Sequence, residues 1–264
     1  MKKLLLPKFK ISYLWFPFLW LGYLSHSLFI IFIIFIMLMF HELAHLLVAR
    51  YFHYKISNII LYPFGIGAQI ESIGWGNVYH ELLILISGPT MHLIYPFCFL
   101  LCKQTNIISP NFYNYLIHLN FSILIFNLLP IYPLDGGRIL SSLFHFIMPF
   151  HLAQKCTLFF SLFHLCFIFL YFITFNISSI IVMLFLLIQI IIAYHQRNYT
   201  RRQFYFYRKY HPVSYKIYAH PYQDIYRQRY NLIKCRNVWM KEEDWLDYYL
   251  GDFVKIDPQH FTIL

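Results

Sequence analysis

Residues 11–40 form an almost unbroken apolar run that continues to about Phe52. A helix that crosses a bilayer needs about 20 predominantly apolar residues, so this stretch is long enough for two, meeting near Gly22–Ser27. Further runs lie at 82–102, 112–130, 152–173 and 177–196, which makes six spans. Composition agrees, with 59% hydrophobic, 22% aromatic and only 12% charged residues, where an ordinary soluble domain has about 25% charged. That is too little charge to solvate a globule and too much hydrophobicity for disorder. The five cysteines are odd in number, lie mostly in apolar runs and form no CxxC, so they read as packed thiols rather than a disulfide framework.

The charges orient the spans, because cytoplasmic ends are enriched in Lys and Arg. With both termini in the cytosol, that side receives Lys2, Lys3, Lys8, Lys10, Arg50, Lys55, Arg138, Lys155, Arg197 and the whole tail, and the opposite side only Lys103. Residues 1–200 hold 10 Lys/Arg and 4 acids, and residues 201–264 hold 11 and 7. The chain therefore divides into a six-helix membrane domain, 1–200, and a cytosolic C-terminal tail, 201–264. Lys2 and Lys3 precede an apolar run as in a signal peptide, but no small-x-small site follows, so the segment reads as retained.

Two segments between the runs are not simple loops. Residues 61–76 are apolar and interrupted by glycines, which suits a short membrane-associated β-hairpin or re-entrant loop, buried in protein or lining a wet cavity. Residues 127–137 are broken by Pro130 and Pro133 and loosened by Gly136 and Gly137. This second break carries Asp135, the only aspartate of the first 200 residues.

The strongest chemical signal is His41-Glu42-Leu43-Ala44-His45. On a helix, positions i and i+4 share a face, so both imidazoles reach one ion. The intervening glutamate lies within reach of a water there and can act as general base. Zinc suits such ligands. At this composition an HExxH arises by chance roughly 0.014 times in a chain of this length. Ionisable side chains in a spanning segment also cost about 2.5–3.5 kcal/mol each, even on the lenient insertion scale, so something must offset them. Two histidines need a third protein ligand, and Asp135, at matching depth on the same side, is the best candidate; an Asp-Gly turn is the structural alternative.

HExxH followed about 90 residues later by Asn127-x-x-Pro130-x-x-Pro133-Leu-Asp135-Gly resembles the site-2 protease family of intramembrane zinc metalloproteases. Pro63-Phe64-Gly65, Ser87-Gly88-Pro89-Thr90-Met91-His92 and Asn120-Phe-Ser-Ile-Leu extend the likeness to the sporulation branch, whose members process a membrane-associated pro-sigma factor. The resemblance covers roughly residues 10–210. It implies one Zn2+ per chain held by His41, His45 and Asp135, with Glu42 as catalytic base. It also assigns Asn127, Pro130 and Pro133 to the motif around the aspartate, and Phe64 and Gly65 to a hairpin that presents unwound substrate. The implied partners are a membrane-associated protein substrate and membrane-protein inhibitors, in the mother-cell membrane around the forespore.

Weaker features are read more plainly. His92, His118, His145 and His164 lack partners at ligand spacing and read as packed or interfacial, with a place lining the cavity the lesser alternative for His92 beside Ser87-Gly88-Pro89, and Glu71 and Glu81 read as interfacial. The basic-aromatic run from Arg197 to Tyr210 follows a spanning run directly, which favours anionic lipid headgroups over nucleic acid. Met240–Leu250 reads as an amphipathic helix with acids in its first turn, and the tail leaves a shortened CBS-like domain open. Other readings of the whole also stay open: a non-catalytic scaffold of the same fold, a site-2 protease acting on an anti-sigma factor, or an ion-coupled transporter. The lack of an internal repeat weighs against the transporter.

Overall fold

The computed structural model describes residues 8–13, 15–62, 65–70, 73–172, 177–213, 217–235 and 238–254. The chain is mostly helical. Contacts divide it into two compact units, Met1–Ile73 with Tyr79–Leu129, and Gly74–Val78 with Pro130–Leu264. Among the described residues four helices are long and apolar enough to cross a membrane, within Leu28–Tyr51, Val78–Gln104, Phe150–Leu170 and Ser179–Tyr210. This is the pattern of a polytopic membrane protein.

In the first unit the apolar run divides into two helices that meet near Gly22–Ser27, as its sequence suggests, but the first is short. Strand β1 takes Lys8–Ile11 and helix α1 only Trp15–Leu24, before α2 runs from Leu28 to Tyr51. Ten helical residues rise about 15 Å, half of a hydrocarbon core. The chain just before α1 is extended, in β1, and pairs into a sheet. β1 pairs in parallel with β2 (Ile56–Tyr62), in register from Lys8↔Asn58 to Ile11↔Leu61. β2 turns back into antiparallel β3 (Gly65–Ile70), so the hairpin begins and ends earlier in the chain than the 61–76 segment.

Strand β3 packs against α2. At the far end of the sheet the Leu61 carbonyl accepts from Ser12 N at 3.0 Å and from the Trp15 indole at 3.2 Å. That indole meets the Phe35 ring edge-on at 5.0 Å. Phe35 lies about 24 Å along α2 from its end at Tyr51, so the sheet runs beside the C-terminal two-thirds of α2.

The reversal from α2 into β2 is a Schellman motif: Tyr54 N donates to Ala49 O and His53 N to Arg50 O, both at 3.0 Å, with His53 at φ 62°. The same pair of bonds closes α1 around His26 (φ 51°) and α3 (Val78–Gln104) around Asn106 (φ 56°). These bonds satisfy carbonyls that an unclosed helix end would leave open. Helix α4 (Pro110–Leu128) then starts on a Ser109 cap that accepts from Phe112 N at 3.2 Å, with Pro110 in its first turn.

In the second unit the proline-broken segment leads into a helix that sequence periodicity did not suggest, α5 (Asp135–Ile147). The segment folds back on it: Leu134 N bonds Ile131 O at 2.9 Å, and a Cβ on Gly137 would lie 2.4 Å from the Ile131 carbonyl carbon. Tyr132 N donates to Ser161 Oγ at 2.9 Å, fixing the loop to α6 (Phe150–Phe172). Helix α7 spans Ile177–Tyr210 and so continues well past the apolar run that ends at 196.

The tail, which lacks visible strand alternation in sequence, folds into β4 (Ile217–His220), β5 (Tyr230–Cys235) and β6 (Val238–Lys241). β5 is parallel to β4 and antiparallel to β6. Helix α8 (Glu242–Val254) follows, starting two residues later than the amphipathic pattern, with Glu242, Glu243 and Asp244 in its first turn. Its core joins Phe150, Phe204, Tyr205, Ile225, Ile233, Trp245, Leu246 and Leu250. Arg208 is buried in an ion pair with Glu242 and donates to the Arg227 carbonyl at 3.0 Å. Part of the basic-aromatic run is therefore interior.

Burial holds His145 well below its ordinary value of 6.5, and the Arg227 guanidinium adds to the effect. Burial lowers His220 as well. A histidine whose folded pKa is depressed stabilises fully above its unfolded value and less as pH falls through that value toward the folded one. Asp224, raised above 3.8 by burial, acts in the opposite sense as pH falls toward 3.8. We expect acidification from about pH 7.5 to about pH 5.5 to speed amide exchange at Ile233 and Leu246, and His145→Phe to remove part of that change. Exchange independent of pH, after correction for its intrinsic rate, would contradict this.

Candidate active site

The C-terminal part of α2 presents His41 and His45 toward α3, at 2% and 7% exposure. Their rings stand edge-on at 4.8 Å with Nε2 atoms 3.1 Å apart. His45 Nδ1 lies 2.6 Å from the Ile84 carbonyl. A carbonyl only accepts, so Nδ1 carries the proton and a neutral His45 presents its lone pair at Nε2. Fixing a ligand's remote nitrogen in this way is what orients metal-binding imidazoles.

Glu42, half-buried, joins the group: one ligand atom from each of His41, Glu42 and His45 lies within 4.8 Å of the others. Two nitrogens at about 2.0–2.1 Å from one tetrahedral ion stand about 3.3 Å apart, so the 3.1 Å pair fits a shared zinc ion. This is a candidate His/Glu/His metal triad of the kind zinc metalloproteases carry.

Space for the pair comes from Gly88. A Cβ there would lie 2.3 Å from His45 Nε2, 2.4 Å from its Cε1 and 2.6 Å from His41 Nε2. No side chain is compatible with both imidazoles in these positions. Sequence reading noted Ser87-Gly88-Pro89 without giving the glycine a task; a glycine inside an apolar helix, which costs about 1 kcal/mol relative to alanine, was the available signal.

His92 is fully buried, its ring centroid 5.2 Å from that of His41. It is a packed histidine, but packed against the site rather than at an interface. Glu81, expected at the interface, is also buried, at 7% exposure in the first turn of α3.

The other sequence-derived residues fall as follows. Asp135 is the first residue of α5 in the second unit, 8% exposed, and its carboxylate at a helix N-terminus is favourably placed for the dipole. Asn127 sits in the last turn of α4. Pro130 and Pro133 flank buried Ile131, and the Tyr132–Pro133 peptide is cis. Gly65 opens β3 opposite Tyr62. Phe64 and Glu71 lie outside the described residues.

The pattern of peptidase family M50 is matched by residues 103–171. Stage IV sporulation protein FB of Bacillus subtilis is 32% identical over 196 residues, which cover 71% of this chain and 68% of that protein. The chain belongs to peptidase family M50, the site-2 proteases. A zinc metalloprotease of Methanocaldococcus jannaschii is 36% identical over 129 residues, 47% of this chain and 37% of its own length. The solved structure of the site-2 protease from that organism superposes with a TM-score of 0.51 at 29% identity, covering 69% of this chain and 88% of that one. As an M50 member, the chain is a metalloendopeptidase, and its activity is zinc-dependent intramembrane proteolysis.

Gly88→Ala is expected to push the imidazoles apart, weaken zinc binding at least about tenfold and abolish cleavage while the chain still folds. Native zinc content and activity in that variant would show that the rings move aside without cost.

Proposed function

We propose that His41, His45 and Asp135 hold one zinc ion per chain and that Glu42 is the general base. The observation that carries this is the pair of Nε2 atoms 3.1 Å apart, with Glu42 beside them on a buried helix face. Zinc, when bound, supplies a Lewis acid that polarises the scissile carbonyl and lowers the pKa of water. Glu42 takes the proton of the attacking water and passes it to the leaving amine. Asp135 adds the negative charge that partly neutralises the dication.

The membrane arrangement we propose has six crossings and both termini in the cytosol. The first crossing is made by β1 and α1 in series, with β1 paired to β2 along one of its two sides. Residues 1–200 form the protease domain, and residues 201–264 a cytosolic segment read as a shortened CBS-like domain. Arg197, Arg202 and the exposed rings of Tyr194 and Tyr199 meet anionic headgroups.

The substrate we propose is a membrane-associated protein segment cut near the cytoplasmic face. β3 is one of the two edge strands of its sheet and packs on α2, so an unwound substrate can add to it as a further strand by backbone hydrogen bonds. Gly65, which opens β3, together with Phe64, Asn127, Pro130 and Pro133, would line its path. The likeness to a sporulation protein over 71% of the chain favours a pro-sigma factor as substrate. It also favours a mother-cell membrane location and membrane-protein inhibitors as regulators.

Glu42→Gln is expected to keep about one zinc per chain and to lose cleavage of a co-expressed pro-sigma factor by about 100-fold or more, the range of a missing general base. Asp135→Asn should lower both zinc content and cleavage. Full processing by the Glu42 variant would sink the mechanism; processing of an anti-sigma factor alone would redirect the substrate assignment.

A further inference from the structure

We propose that His92, pinned by Asn120, is a positioning residue that sets the imidazole of His41. This rests on the reading of His41 as a zinc ligand. Gly88 and His92 are one helical turn apart on the same face of α3. The glycine makes room for the two Nε2 atoms, and the next turn brings the His92 ring to 5.2 Å from that of His41, tilted by 59°.

His92 is itself held at two points. Asn120 Nδ2 donates to the His92 carbonyl at 2.8 Å, and Asn120 Oδ1 lies 2.8 Å from His92 Nδ1. The backbone carbonyl only accepts, which fixes the orientation of the amide. Oδ1 must then face a donor, so Nδ1 of His92 carries the proton. The ring has one tautomer and one orientation, and both His92 and Asn120 are fully buried.

Tyr95 completes the arrangement. Its ring meets His92 edge-on at 5.5 Å, and its hydroxyl donates at 2.7 Å to the carbonyl of Met37, one turn before His41. The backbone of α2 is thereby tied to α3 just ahead of His41, and the His41 ring packs against an imidazole that cannot turn. Ile84 orients the second histidine of the motif through a hydrogen bond; His92 orients the first through ring contact.

A pair that only joined α3 to α4 would be replaceable by apolar side chains, since removing both partners of a buried hydrogen bond together is nearly neutral. The test therefore uses the full chain in detergent micelles with Asn120→Ala and the double variant His92→Leu/Asn120→Leu. Zinc affinity is read by chelator competition, the cobalt-substituted protein by its visible spectrum, and cleavage as kcat and KM separately. Expected are a loss of zinc affinity of about tenfold or more, shifted cobalt bands, and a fall in kcat with KM changed by less than about twofold.

Native affinity and cobalt spectrum in both variants would overturn the positioning role. So would a double variant that fails to fold, because the pair would then belong to bundle stability. If the native chain itself binds no zinc, the reading of His41 fails instead, and the two failures are distinguished by that control.

Discussion

Keeping two imidazole nitrogens 3.1 Å apart inside an apolar bundle requires that neither ring be oriented by water. Bulk solvent would average the rings over their rotamers and fill the space between them. Here the orienting groups are parts of the neighbouring helix: the Ile84 carbonyl for His45, and the face of α3 that runs from Gly88 to His92 for His41. The HExxH helix thus supplies the candidate ligand atoms, and α3 packs against their rings. A glycine at 88 is a steric consequence of this, because a Cβ there would lie 2.3 Å from His45 Nε2 and 2.6 Å from His41 Nε2.

The second demand of an apolar surrounding is that backbone groups be satisfied within the protein. The first unit meets it in two ways. Extended chain at the start of the apolar run is paired into the β1–β2–β3 sheet, and the last Leu61 carbonyl takes both a backbone and an indole donor. Helices α1, α2 and α3 end in the same pair of Schellman bonds. Glycine usually occupies the left-handed position of that motif; here it is His26, His53 and Asn106.

These particulars explain what the sequence made legible. Long apolar runs and the HExxH spacing are one-dimensional patterns, and α2, α3, α6 and α7 follow from them directly. The division of residues 8–24 into strand and short helix does not, because an apolar run carries no periodicity that separates the two. Helix ends closed by histidine give no glycine signal. Helix α5 was hidden by the prolines and glycines before it, whose role is local: Gly137 lets the loop at Ile131 lie against the first turn. The tail core was hidden because its strands are only 4 to 6 residues long, and part of its interior comes from the end of α7 and from Phe150.

That shared interior fixes where α6, α7 and the tail meet. Phe150 N donates to Ile225 O at 2.9 Å, and His151 N to Asp224 Oδ2 at 2.8 Å. Asp224 also accepts from the Tyr205 hydroxyl at 2.6 Å and from Ile225 N at 2.8 Å. One buried carboxylate therefore joins α6, α7 and the tail at the corner where α5 ends. Helix α5 is 13 residues long, about 20 Å, and packs on α6. Its first residue is Asp135. The Asp224 carboxylate thus holds the start of α6 just beyond the far end of α5, while the proline loop holds the first turn of α5 through Ile131 and Gly137.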